Sequence, residues 1–591
     1  MRARFDFLAD GRPVQCDAPV AVLTAHTIAE VAPVMAAAEQ ALRDGFHIAG
    51  WVGYEAASAF DSALLTQPAG PVPLVCFGVF RELRDAEPLV PSGDAQAGSV
   101  EWTPQLSRDA YREGVATIRE AIADGETYQI NYTFRLHADF RSPGAGLRSP
   151  GALAPGISRG LKPACSISDL YSHLASAEQV PYAALIETDE WAVLSLSPEL
   201  FFHRDGDRLV TKPMKGTAPR GRWDEEDLAM GESLRTSAKN RAENVMIVDL
   251  CRNDLTRVCQ VGSVQATSMF DVHRYPTVWQ MVSTVEGRLR PDTTLTDIFR
   301  ALFPAGSITG APKSSSMRLI AGLEHAPRGV YCGAIGYASP DGRATFNVGI
   351  RTITVHRPTG HAEYGVGGGI TWDSTAADEH AEAMQKAACL EVRPPFSLIE
   401  TLRFENGEYV RLDAHLARLK ASAAYFGFHP PTHPVAHLPI GEARVRLCLS
   451  RVGRMTWTSE PLDPTPANPS FALASSPVDS SNHWLFHKTT RREVYDCHKA
   501  EHPEAWDVLL WNERRELTEF TRGNVVLELD GRLVTPARTC GLLAGIFRQH
   551  LLDTGRVVEA IVSVDDLPKA TRLWFVNSLR EWVALARQRL A

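Results

Sequence analysis

Two positions in the first half of the chain combine a reactive side chain with surroundings that could change its chemistry. Glu199 follows a strand-like run in SLSPELFF, where a half-buried carboxylic acid could donate a proton. Lys215 lies between Met214 and Gly216 in TKPMKGTAPRG. An apolar turn that removes water from a lysine lowers its pKa and frees the amine as a nucleophile. Taken singly, residues of this kind are more often structural, so neither position identifies a catalytic group by itself.

Three carboxylates stand on predicted helices. Glu243 begins a helix, RAENVMIVDL, that is apolar on nearly every side, which predicts burial. Asp373-Ser374 is a helix-start signal, and Glu379 and Glu382 then fall on one helical face, with Lys386 four residues further on. A group of carboxylate oxygens suits Mg²⁺. The alternative, from spacing alone, is an exposed helix with salt bridges.

Two glycine-rich segments could bring backbone close to a ligand. GVGGGI, residues 365–370, fails the GxGxxG pattern, so a dinucleotide site is a poor interpretation. GSITGAPKSS, residues 306–315, resembles a phosphate loop without its Gly-Lys-Ser/Thr ending, and it could place backbone amides and Thr309 against an anion. An ordinary turn explains the second segment equally well.

The last third of the chain has a second set of candidate groups. Arg418 lies off the apolar stripe of the helix RLDAHLARLKASAAYFGF, and Lys488 follows aromatic residues in WLFHKTTRREVYD. Glu519 and Asn524 lie at a turn between two strands in LTEFTRGNVVLELDGRLVTP. A single Arg or Lys is usually a surface cation, so each of these needs support from the others.

A glycine-punctuated loop, TCGLLAGIFRQHLL, enters a predicted helix. The first turn of a helix has amide groups without intrahelical acceptors. The backbone N–H groups of Ile546 and Phe547 could therefore bind an anion such as a phosphate.

These groups depend on elements that hold them in place. SRDAYREGVATIREAIADG, residues 107–125, has one apolar helical face and predicts a helix. Residues 127–136 alternate and predict a strand with Gln129 on its polar face. Turns at 340–342, 358–360 and 406–407 predict hairpins, whereas the Pro/Gly/Ser-rich stretch 142–163 predicts a long loop. The chain therefore looks strand-rich and α+β, with helices packed outside.

Composition narrows the class of protein. The chain has 591 residues, 44% of them hydrophobic, and 61 Lys and Arg against 70 Asp and Glu give a net charge of −9. A disordered chain lacks such apolar content, and a broad nucleic-acid binder would be basic. We see no apolar run of membrane-spanning length, no signal peptide and no paired cysteines. We therefore expect a cytoplasmic protein with reduced thiols, no membrane and no nucleic-acid partner.

The order of the motifs in the first part resembles that of the chorismate-utilising enzymes. The motifs are SPELFF, KPMKGTAPRG, RAENVMIVDLCRNDL, GSITGAPK, YCGAIGY, FNVGIRT, GVGGGITWDS and the E-x-x-E helix. The match covers about residues 106–389, with a weaker one before it. The resemblance implies a β-sheet sandwich with outer helices that binds chorismate and Mg²⁺.

The resemblance also implies roles for particular residues. Glu199 matches the general acid that protonates the departing 4-hydroxyl, and Lys215 the amine that attacks C2. The implied metal ligands are Glu243 and Glu382, with Glu379 beside them. The implied substrate-binding residues are Gln129, Thr309, Tyr331, Arg351, Gly367, Gly368 and Lys386.

Two positions distinguish branches of this family. Aminodeoxychorismate synthases carry a lysine at the position of Lys215, where anthranilate synthases usually have alanine. Isochorismate and salicylate synthases carry a water-activating lysine at the position of Gln129, and glutamine cannot act as that base. The resemblance therefore implies amination of chorismate to 4-amino-4-deoxychorismate. Gln280 departs from the histidine of many relatives, and its role is open.

The motifs after about residue 396 resemble the fold-type IV pyridoxal phosphate enzymes, which include branched-chain aminotransferases and aminodeoxychorismate lyase. They are ETLRFENG, HLARL, HKTTRREVYD, ELTEFTRGNVV, GLLAGIFR and FVNSLREW. This resemblance implies an α+β domain in which Lys488 holds pyridoxal phosphate and is the general base, with Glu519 beside the pyridine nitrogen and Asn524 nearby. Arg418 and the amides of Ile546 and Phe547 would bind the phosphate.

Together the resemblances imply residues 1–105 and 106–393 as the two parts of a chorismate-binding component, and 394–591 as the pyridoxal phosphate domain. The implied function is synthesis of 4-aminobenzoate for folate, with pyruvate eliminated by the second domain. No G-x-C-x-G-x-Q glutaminase motif occurs, so we expect ammonia from a separate glutamine amidotransferase subunit. A homodimer through the second domain is compatible with this expectation. The alternative is an aminodeoxychorismate or anthranilate synthase component fused to a class IV aminotransferase.

Overall fold

The structure is a computed structural model that describes residues 1–7, 11–87, 89, 101–140, 166–390, 396–430, 439, 441–467 and 469–586. It divides into two units. The first comprises Met1–Pro219 and Gly231–Pro394, and the second comprises Arg220–Met230 and Pro395–Ala591. The predicted loop at 142–163 and the predicted boundary at 393–395 lie outside the described residues.

Strands dominate the first unit, and helices α1 to α9 lie among them. The strands are β1 (Arg2–Phe7), β2 (Val14–Cys16), β3 (Ala21–Ala25), β4 (His47–Val52), β5 (Val75–Phe80), β6 (Arg84–Asp85), β7 (Thr103–Pro104), β8 (Gln129–Asp139), β9 (Tyr182–Glu187), β10 (Trp191–Ser197), β11 (Leu200–Asp205), β12 (Arg208–Lys212), β13 (Met214–Pro219), β14 (Gln265–Arg274), β15 (Val278–Arg288), β16 (Gly310–Ala311), β17 (Ala334–Ala338), β18 (Ala344–Val348), β19 (Thr352–His356) and β20 (His361–Ile370). The helices are α1 (Ile28–Arg43), α2 (Ala57–Phe60), α3 (Arg108–Ala123), α4 (Ile167–Glu178), α5 (Asp224–Thr236, which crosses the division between the units), α6 (Ala238–Thr256), α7 (Leu295–Leu302), α8 (Lys313–Leu323) and α9 (Ala376–Lys386).

These strands form two large antiparallel sheets. The first runs β16-β8-β20-β19-β10-β9-β1-β2-β6, with β7 paired to β8, and the second runs β13-β15-β12-β11-β18-β17-β4-β5-β3, with β14 paired to β15. Strands from residues 1–85 belong to both sheets, so the N-terminal stretch is built into the same fold as the rest of the unit.

A shared core joins the two sheets. Phe5 and Tyr182 of the first sheet pack with Trp51 and Tyr337 of the second. Helices cover the outer faces, with α1, α6 and α7 packed on the second sheet and α3, α4 and α9 on the first. Burying apolar side chains on both faces of each sheet favours this layered arrangement. The predicted α+β sandwich with outer helices is therefore confirmed.

Local sequence signals explain several elements near the site. The Ser107 side chain caps α3, and Tyr111, Val115 and Ile118 form the buried face that the spacing predicted. The predicted hairpin turns at 340–342 and 358–360 join β17 to β18 and β19 to β20.

Two local predictions are wrong in detail. The helix α6 is not buried on every side, because Val245 is 39% exposed and Asp249 is also exposed. In α9 the cap is Thr375 rather than Ser374, because the Thr375 side chain accepts a hydrogen bond from the backbone N–H of Asp378. Ser374 is thereby left to contact the first turn of that helix.

Among its described residues, the second unit contains smaller sheets and three α-helices of its own. The strands are β21 (Leu398–Glu405), β22 (Glu408–Tyr409), β23 (Ala443–Leu449), β24 (Met455–Pro461), β25 (Phe471–Leu473), β26 (Asp507–Trp511), β27 (Leu517–Phe520), β28 (Asn524–Leu529), β29 (Arg532–Pro536), β30 (Val558–Ala560), β31 (Arg572–Asn577) and β32 (Glu581–Ala584). The helices are α10 (Leu412–Phe426), α11 (Glu493–Glu501) and α12 (Ile546–Asp553). The sheets run β22-β21-β23-β24, β25-β26-β27 and β30-β29-β28-β31-β32. Glu519 lies within β27, not at the following turn as predicted.

Every cysteine among the described residues is a free thiol. Across the described part of the chain, no helix is both long and apolar enough to cross a membrane.

Candidate active sites

A cavity of about 380 Å³ in the first unit collects most of the predicted chorismate-site residues. Both sheets contribute to it, together with α6 and α9. The predicted residues in its lining are Glu199, Lys215, Glu243, Tyr331, Arg351, Gly367, Glu379, Glu382 and Lys386. Segments far apart in the sequence thus meet in one place.

Glu199 is the buried acid of this cavity, with a relative exposure of 4%. Ser307 Oγ donates a hydrogen bond of 2.6 Å to Glu199 Oε1. Burial raises the pKa of Glu199 to about 7, although the Ser307 hydrogen bond opposes the shift. A carboxyl group with this pKa can hold a proton near neutral pH and transfer it to a leaving group.

Lys215 lies in β13, where neighbouring side chains hold the backbone on both sides of it. Asn244 Nδ2 donates to the carbonyl of Lys215 at 3.2 Å, and Gln280 Nε2 donates to the carbonyl of Gly216 at 3.1 Å. Desolvation lowers the pKa of Lys215, against the opposing charge of Glu243. A lowered pKa increases the fraction of neutral, nucleophilic amine. Gln280 therefore helps to hold the strand segment that carries Lys215.

Gly369 allows Lys215 and Gln129 to approach the same point of β20. A Cβ atom at Gly369 would lie 2.2 Å from Lys215 Nζ and 2.4 Å from Gln129 Nε2. A Cβ atom at either distance would force these side-chain ends to shift, so glycine at this position lets both groups keep their places. Gln129 Oε1 is buried without a hydrogen-bond partner among the described residues. Gln129 is absent from the cavity lining but borders the space around the lysine amine.

The predicted metal ligands Glu243, Glu379 and Glu382 all line the cavity. Ser374 Oγ donates to Glu379 Oε1 at 2.6 Å, and Lys386 Nζ lies 2.9 Å from Glu382 Oε1. A Cβ at Gly368 would lie 2.9 Å from Glu379 Oε2, so glycine at this position leaves room for the Glu379 carboxylate. Gly368 itself is not among the residues that line the cavity. Glu243 faces the same cavity from α6. Carboxylate oxygens are ligands that Mg²⁺ prefers, although the oxygens of these three residues do not all lie within 4.8 Å of one another in the described part of the chain.

Arg351 and Tyr331 lie elsewhere in the cavity lining. Arg351 has a φ of 49°, and its Nη1 is 3.8 Å from Glu178 Oε2. That Nη1 is buried and has no hydrogen-bond partner among the described residues. A buried guanidinium with an unused donor is suited to a carboxylate ligand.

Thr309 does not reach the cavity. Its hydroxyl donates to the carbonyl of Ala305 at 3.1 Å, and the neighbouring Ser307 and Ile308 line the cavity instead. Sequence reasoning also missed Ser307 as the partner of Glu199. Its only signal was its position in the GSITG segment, because its distance from Glu199 along the chain concealed the contact.

A second cavity, of about 360 Å³, lies in the second unit. The predicted cofactor residues in its lining are Arg418, Lys488, Glu519, Asn524 and Ile546. The Phe547 side chain packs in a buried cluster, so only the backbone of this residue is available to a ligand. Burial and the charge of Arg418 lower the pKa of Lys488 to about 8.

Glu519 accepts hydrogen bonds from three groups. Tyr495 Oη and the Leu543 backbone N–H donate to Oε1 at 2.9 and 3.0 Å, and Asn524 Nδ2 donates to Oε2 at 3.3 Å. Burial raises the pKa of Glu519 to about 7. A carboxylate held in this way can accept a hydrogen bond from a protonated pyridine nitrogen.

Arg418 is fixed by Glu400, which sequence reasoning did not single out. Arg418 Nε and Nη2 donate to the two carboxylate oxygens of Glu400 at 2.8 and 2.6 Å, and Nη1 donates to the carbonyl of Ala544 at 3.1 Å. Against the effect of burial, Arg418 and His415 lower the pKa of Glu400 to about 2. The Ala544 contact brings the guanidinium to the loop before α12.

The start of α12 has the form of an anion site. Gly545 precedes the helix, and a Cβ there would lie 2.0 Å from Asn524 Oδ1, so the loop needs glycine. His415 Nε2 lines the same cavity and is buried without a hydrogen-bond partner among the described residues. The cation, the first-turn amides, the lysine and the carboxylate together fit pyridoxal phosphate.

Comparison with known proteins agrees with the division of the chain into two units. The model of the chorismate binding enzyme family matches residues 8–391, and that of the class IV aminotransferases matches residues 397–587. An aminodeoxychorismate synthase from Streptomyces griseus is 41% identical over 309 residues, which cover 52% of this chain and 39% of that protein. Anthranilate synthase component 1 from Streptomyces coelicolor is 32% identical over 443 residues, 66% of this chain and 80% of that protein.

The fold of the first unit also has solved counterparts. The crystal structure of anthranilate synthase component I from Streptococcus pneumoniae has a TM-score of 0.54 and 23% identity, covering 66% of this chain and 92% of that one. The match spans 39% of the aminodeoxychorismate synthase from Streptomyces griseus and 58% of an anthranilate synthase component 1 from Haloarcula marismortui, so the names of these relatives do not decide the activity of this chain. The family match, however, extends over more than half of the chain. This chain belongs to the chorismate binding enzyme family, with a class IV aminotransferase-like domain after the chorismate-binding domain.

Proposed function

We propose that the first unit aminates chorismate to 4-amino-4-deoxychorismate. The observation that carries the proposal is the position of Lys215, whose desolvated amine faces the same cavity as the buried acid Glu199. The amine attacks C2 of chorismate, the ring double bonds shift, and the C4–O bond breaks. Ammonia then adds at C4 and the C2–N bond to lysine breaks, which regenerates the amine.

Glu199 supplies the proton for the first step. Its carboxyl group gives a proton to the 4-hydroxyl, which leaves as water. The Ser307 hydrogen bond stabilises the carboxylate that this transfer produces. The proton released when ammonia becomes an amine restores the acid.

Binding in this proposal rests on the anionic character of chorismate, which has two carboxylates. Mg²⁺ held by Glu243, Glu379 and Glu382 would supply positive charge for one of them. The unused donor of Arg351, together with Tyr331 and Lys386, supports binding of the other.

Other reactions of the family fit these residues less well. Anthranilate synthases resemble the chain in overall sequence, but they usually have alanine where Lys215 stands. Isochorismate and salicylate synthases need a lysine base where this chain has Gln129. The neutral amide of Gln129 cannot activate water, so ammonia is the favoured second nucleophile.

A separate glutamine amidotransferase subunit would provide the ammonia. The absence of a G-x-C-x-G-x-Q motif from the sequence supports this, and one relative carries the name component 1. We expect the chain alone to use ammonium but not glutamine. Glutamine-dependent turnover by the purified chain would overturn this part of the proposal.

We propose that the second unit eliminates pyruvate from 4-amino-4-deoxychorismate to give 4-aminobenzoate. Its cavity is strongly cationic, as expected for a substrate with two carboxylates. The basic lining residues are Arg418, Arg444, Arg446, Arg491, Arg492, Arg522, Arg580, Lys488 and Lys499, and the acidic ones are Asp463, Asp496 and Glu519. This excess of cations favours the lyase over a transaminase for apolar amino acids.

Lys488 moves the key proton in this reaction. Pyridoxal phosphate, when bound, supplies an electron sink for the carbon that carries the substrate amine. The Lys488 amine takes the proton from C4, and the C3–O bond to the enolpyruvyl group breaks as the ring becomes aromatic. Enolpyruvate gains a proton and leaves as pyruvate. Glu519 keeps the pyridine nitrogen protonated, and Arg418 with the start of α12 holds the phosphate.

One experiment tests both activities. The purified chain is incubated with chorismate, ammonium, Mg²⁺ and pyridoxal phosphate, and the products are resolved by mass spectrometry. 4-Aminobenzoate with pyruvate supports both units, whereas 4-amino-4-deoxychorismate alone refutes the lyase. Anthranilate, isochorismate or salicylate refutes the assignment of Lys215 and Gln129.

The remaining parts of the proposal concern context. We propose a cytoplasmic enzyme of folate synthesis, because 4-aminobenzoate is a folate precursor. We also propose a homodimer through the second unit, which sedimentation of the full chain would test: a monomer at micromolar concentration would refute it.

A further inference from the structure

Three metal-ligating side chains meet on the first sheet, at the ends of β8 and β20 away from the chorismate cavity. His137 lies directly opposite Glu363 in the antiparallel register, and His361 is two residues from Glu363 on the same strand. Because strand side chains alternate between faces, all three fall on one face of the sheet. None of them belongs to the lining of the chorismate cavity.

The ligand atoms of these residues are close together. His361 Nε2 lies 3.4 Å and His137 Nδ1 lies 3.8 Å from Glu363 Oε1. All three ligand atoms lie within 4.8 Å of one another. Two ligands of a tetrahedral zinc ion with bonds of about 2.0–2.1 Å are separated by about 3.3 Å. The observed group therefore needs only small side-chain rotations to close around an ion.

The two imidazoles stack on each other beside the Glu363 carboxylate. Their ring centroids are 5.2 Å apart with planes inclined by 24°, and His361 Nε2 lies at hydrogen-bond distance from Glu363 Oε1. His137 Nδ1 is buried and has no hydrogen-bond partner among the described residues. A buried polar atom without a partner costs free energy, and a bound cation would remove that cost.

We propose that His137, His361 and Glu363 form a binding site for a divalent transition-metal ion of the zinc type. Two imidazoles and one carboxylate suit Zn²⁺ better than Mg²⁺, which prefers an all-oxygen set. Three protein ligands leave a further position for water. Asp139, directly opposite His361 in the register, lies on the same face beside the site.

The site would join two strands that also serve the chorismate cavity. Glu363 and Gly369 lie on β20, about 20 Å apart at ~3.3 Å per residue. Gln129 occupies the corresponding end of β8, beside Ile130, which pairs with Ile370. An ion at the outer ends would pin this strand pair in register, so we expect a structural rather than a catalytic role.

Cobalt provides a spectroscopic test of the proposed site. Four- or five-coordinate Co²⁺ bound by histidine absorbs visible light far more strongly than six-coordinate Co²⁺ bound only by oxygen. The full chain is titrated with Co²⁺ in excess Mg²⁺, which competes for carboxylate sites. We expect one saturable, intense visible absorbance that Zn²⁺ abolishes. Glu363→Gln and His361→Ala change half-exposed side chains, and each should weaken Co²⁺ affinity at least about tenfold.

His26→Ala is the matched control, because His26 is an exposed histidine beside Glu30 and belongs to no metal-ligand group among the described residues. It should leave the Co²⁺ spectrum unchanged. Zn²⁺ should also raise the melting temperature of the unaltered chain and of His26→Ala by at least about 2 °C, but not that of the other two variants. Absence of the intense absorbance, or its persistence at full affinity in Glu363→Gln and His361→Ala, would overturn the proposal.

Discussion

At the level of single residues, burial determines which protonation state Glu199 and Lys215 can hold. Removing water disfavours the charged form of each, so it raises the pKa of the acid and lowers that of the amine. The same effect acts on Glu519 and Lys488 in the second unit. In both cavities a carboxyl group and a lysine are thereby brought closer to their reactive forms near neutral pH.

Replacing Lys215 by alanine should abolish the proposed covalent step. We expect Lys215→Ala to reduce ammonium-dependent formation of 4-amino-4-deoxychorismate at least about 10²-fold, because the nucleophile is lost. Lys212→Ala, three residues earlier and outside the cavity lining, is the control. Product formation is followed by mass spectrometry, and an unchanged rate in Lys215→Ala would rule out the covalent lysine.

The proton-donating role of Glu199 predicts a pH dependence. Only the protonated acid is active, so kcat for amination should fall as pH rises through about 7, the pKa of Glu199. The Ser307 hydrogen bond favours the carboxylate form of Glu199. Ser307→Ala should therefore raise the pH at which kcat falls by about one unit. The pH profiles of kcat are compared for the unaltered chain and for Ser307→Ala. If kcat of the variant falls at the same or at a lower pH, the role of Ser307 is contradicted.

Lys488 offers an independent test in the second unit. Lys488→Ala should lose the visible absorbance of bound pyridoxal phosphate and the release of pyruvate, because the residue that holds the cofactor is gone. Amination of chorismate should persist. Lys420→Ala, on the exposed side of α10, is the control. A retained absorbance would show that another lysine holds the cofactor.

At the level of elements, β20 brings together groups from distant parts of the first unit. Its glycines remove side chains where Lys215, Gln129, Tyr331 and the α9 carboxylates approach the strand. The strand pairs with β8 along its whole length, and this register fixes which residue of β8 lies opposite each glycine. The glycine-rich segment therefore allows close packing around the cavity. Its sequence had already argued against a dinucleotide site.

Adding one methyl group to β20 should disturb catalysis without unfolding the protein. A Cβ in Gly369→Ala would collide with Lys215 Nζ and Gln129 Nε2, which are flexible side-chain ends that can move. We expect amination to fall about 10²-fold through misplacement of the amine. Gly322→Ala in α8 is the control, because nothing lies within 4 Å of its new Cβ. Circular dichroism and kcat together check the prediction, and an unaltered kcat would contradict it.

At the level of the whole molecule, the chain combines two units that each have a candidate active site. Each unit has its own hydrophobic cores and its own cavity, with an amine and a carboxyl group in each. The proposed product of the first unit is the proposed substrate of the second. Separate cores allow one cavity to be inactivated without loss of the other.

Mixing two inactive variants should therefore restore the overall reaction. Lys215→Ala should still convert added 4-amino-4-deoxychorismate to 4-aminobenzoate, and Lys488→Ala should accumulate that intermediate from chorismate. An equimolar mixture should form 4-aminobenzoate after a lag in which the intermediate passes through solution. Failure of the mixture, when each variant retains its remaining step, would show that the intermediate cannot be exchanged.

The sequence alone determined the two families, the α+β class and most of the residues around each cavity. Period-two alternation, capping residues and Gly-containing turns act over a few neighbours, so they can be recognised without a structure. The ordered motifs then singled out Lys215, Glu199 and Lys488 as candidate catalytic residues, although the local pattern around each was weak.

Only the tertiary structure decided which groups touch. The contacts of Ser307 with Glu199 and of Glu400 with Arg418, and the approach of Gln129 and Lys215 to Gly369, depend on the packing of segments far apart in the chain. The exposed side of α6 was misjudged for the same reason, since composition shows how apolar a helix is but not which faces have neighbours. Local patterns record the backbone period, whereas burial, and with it the pKa of each reactive group, arises when distant elements exclude water together.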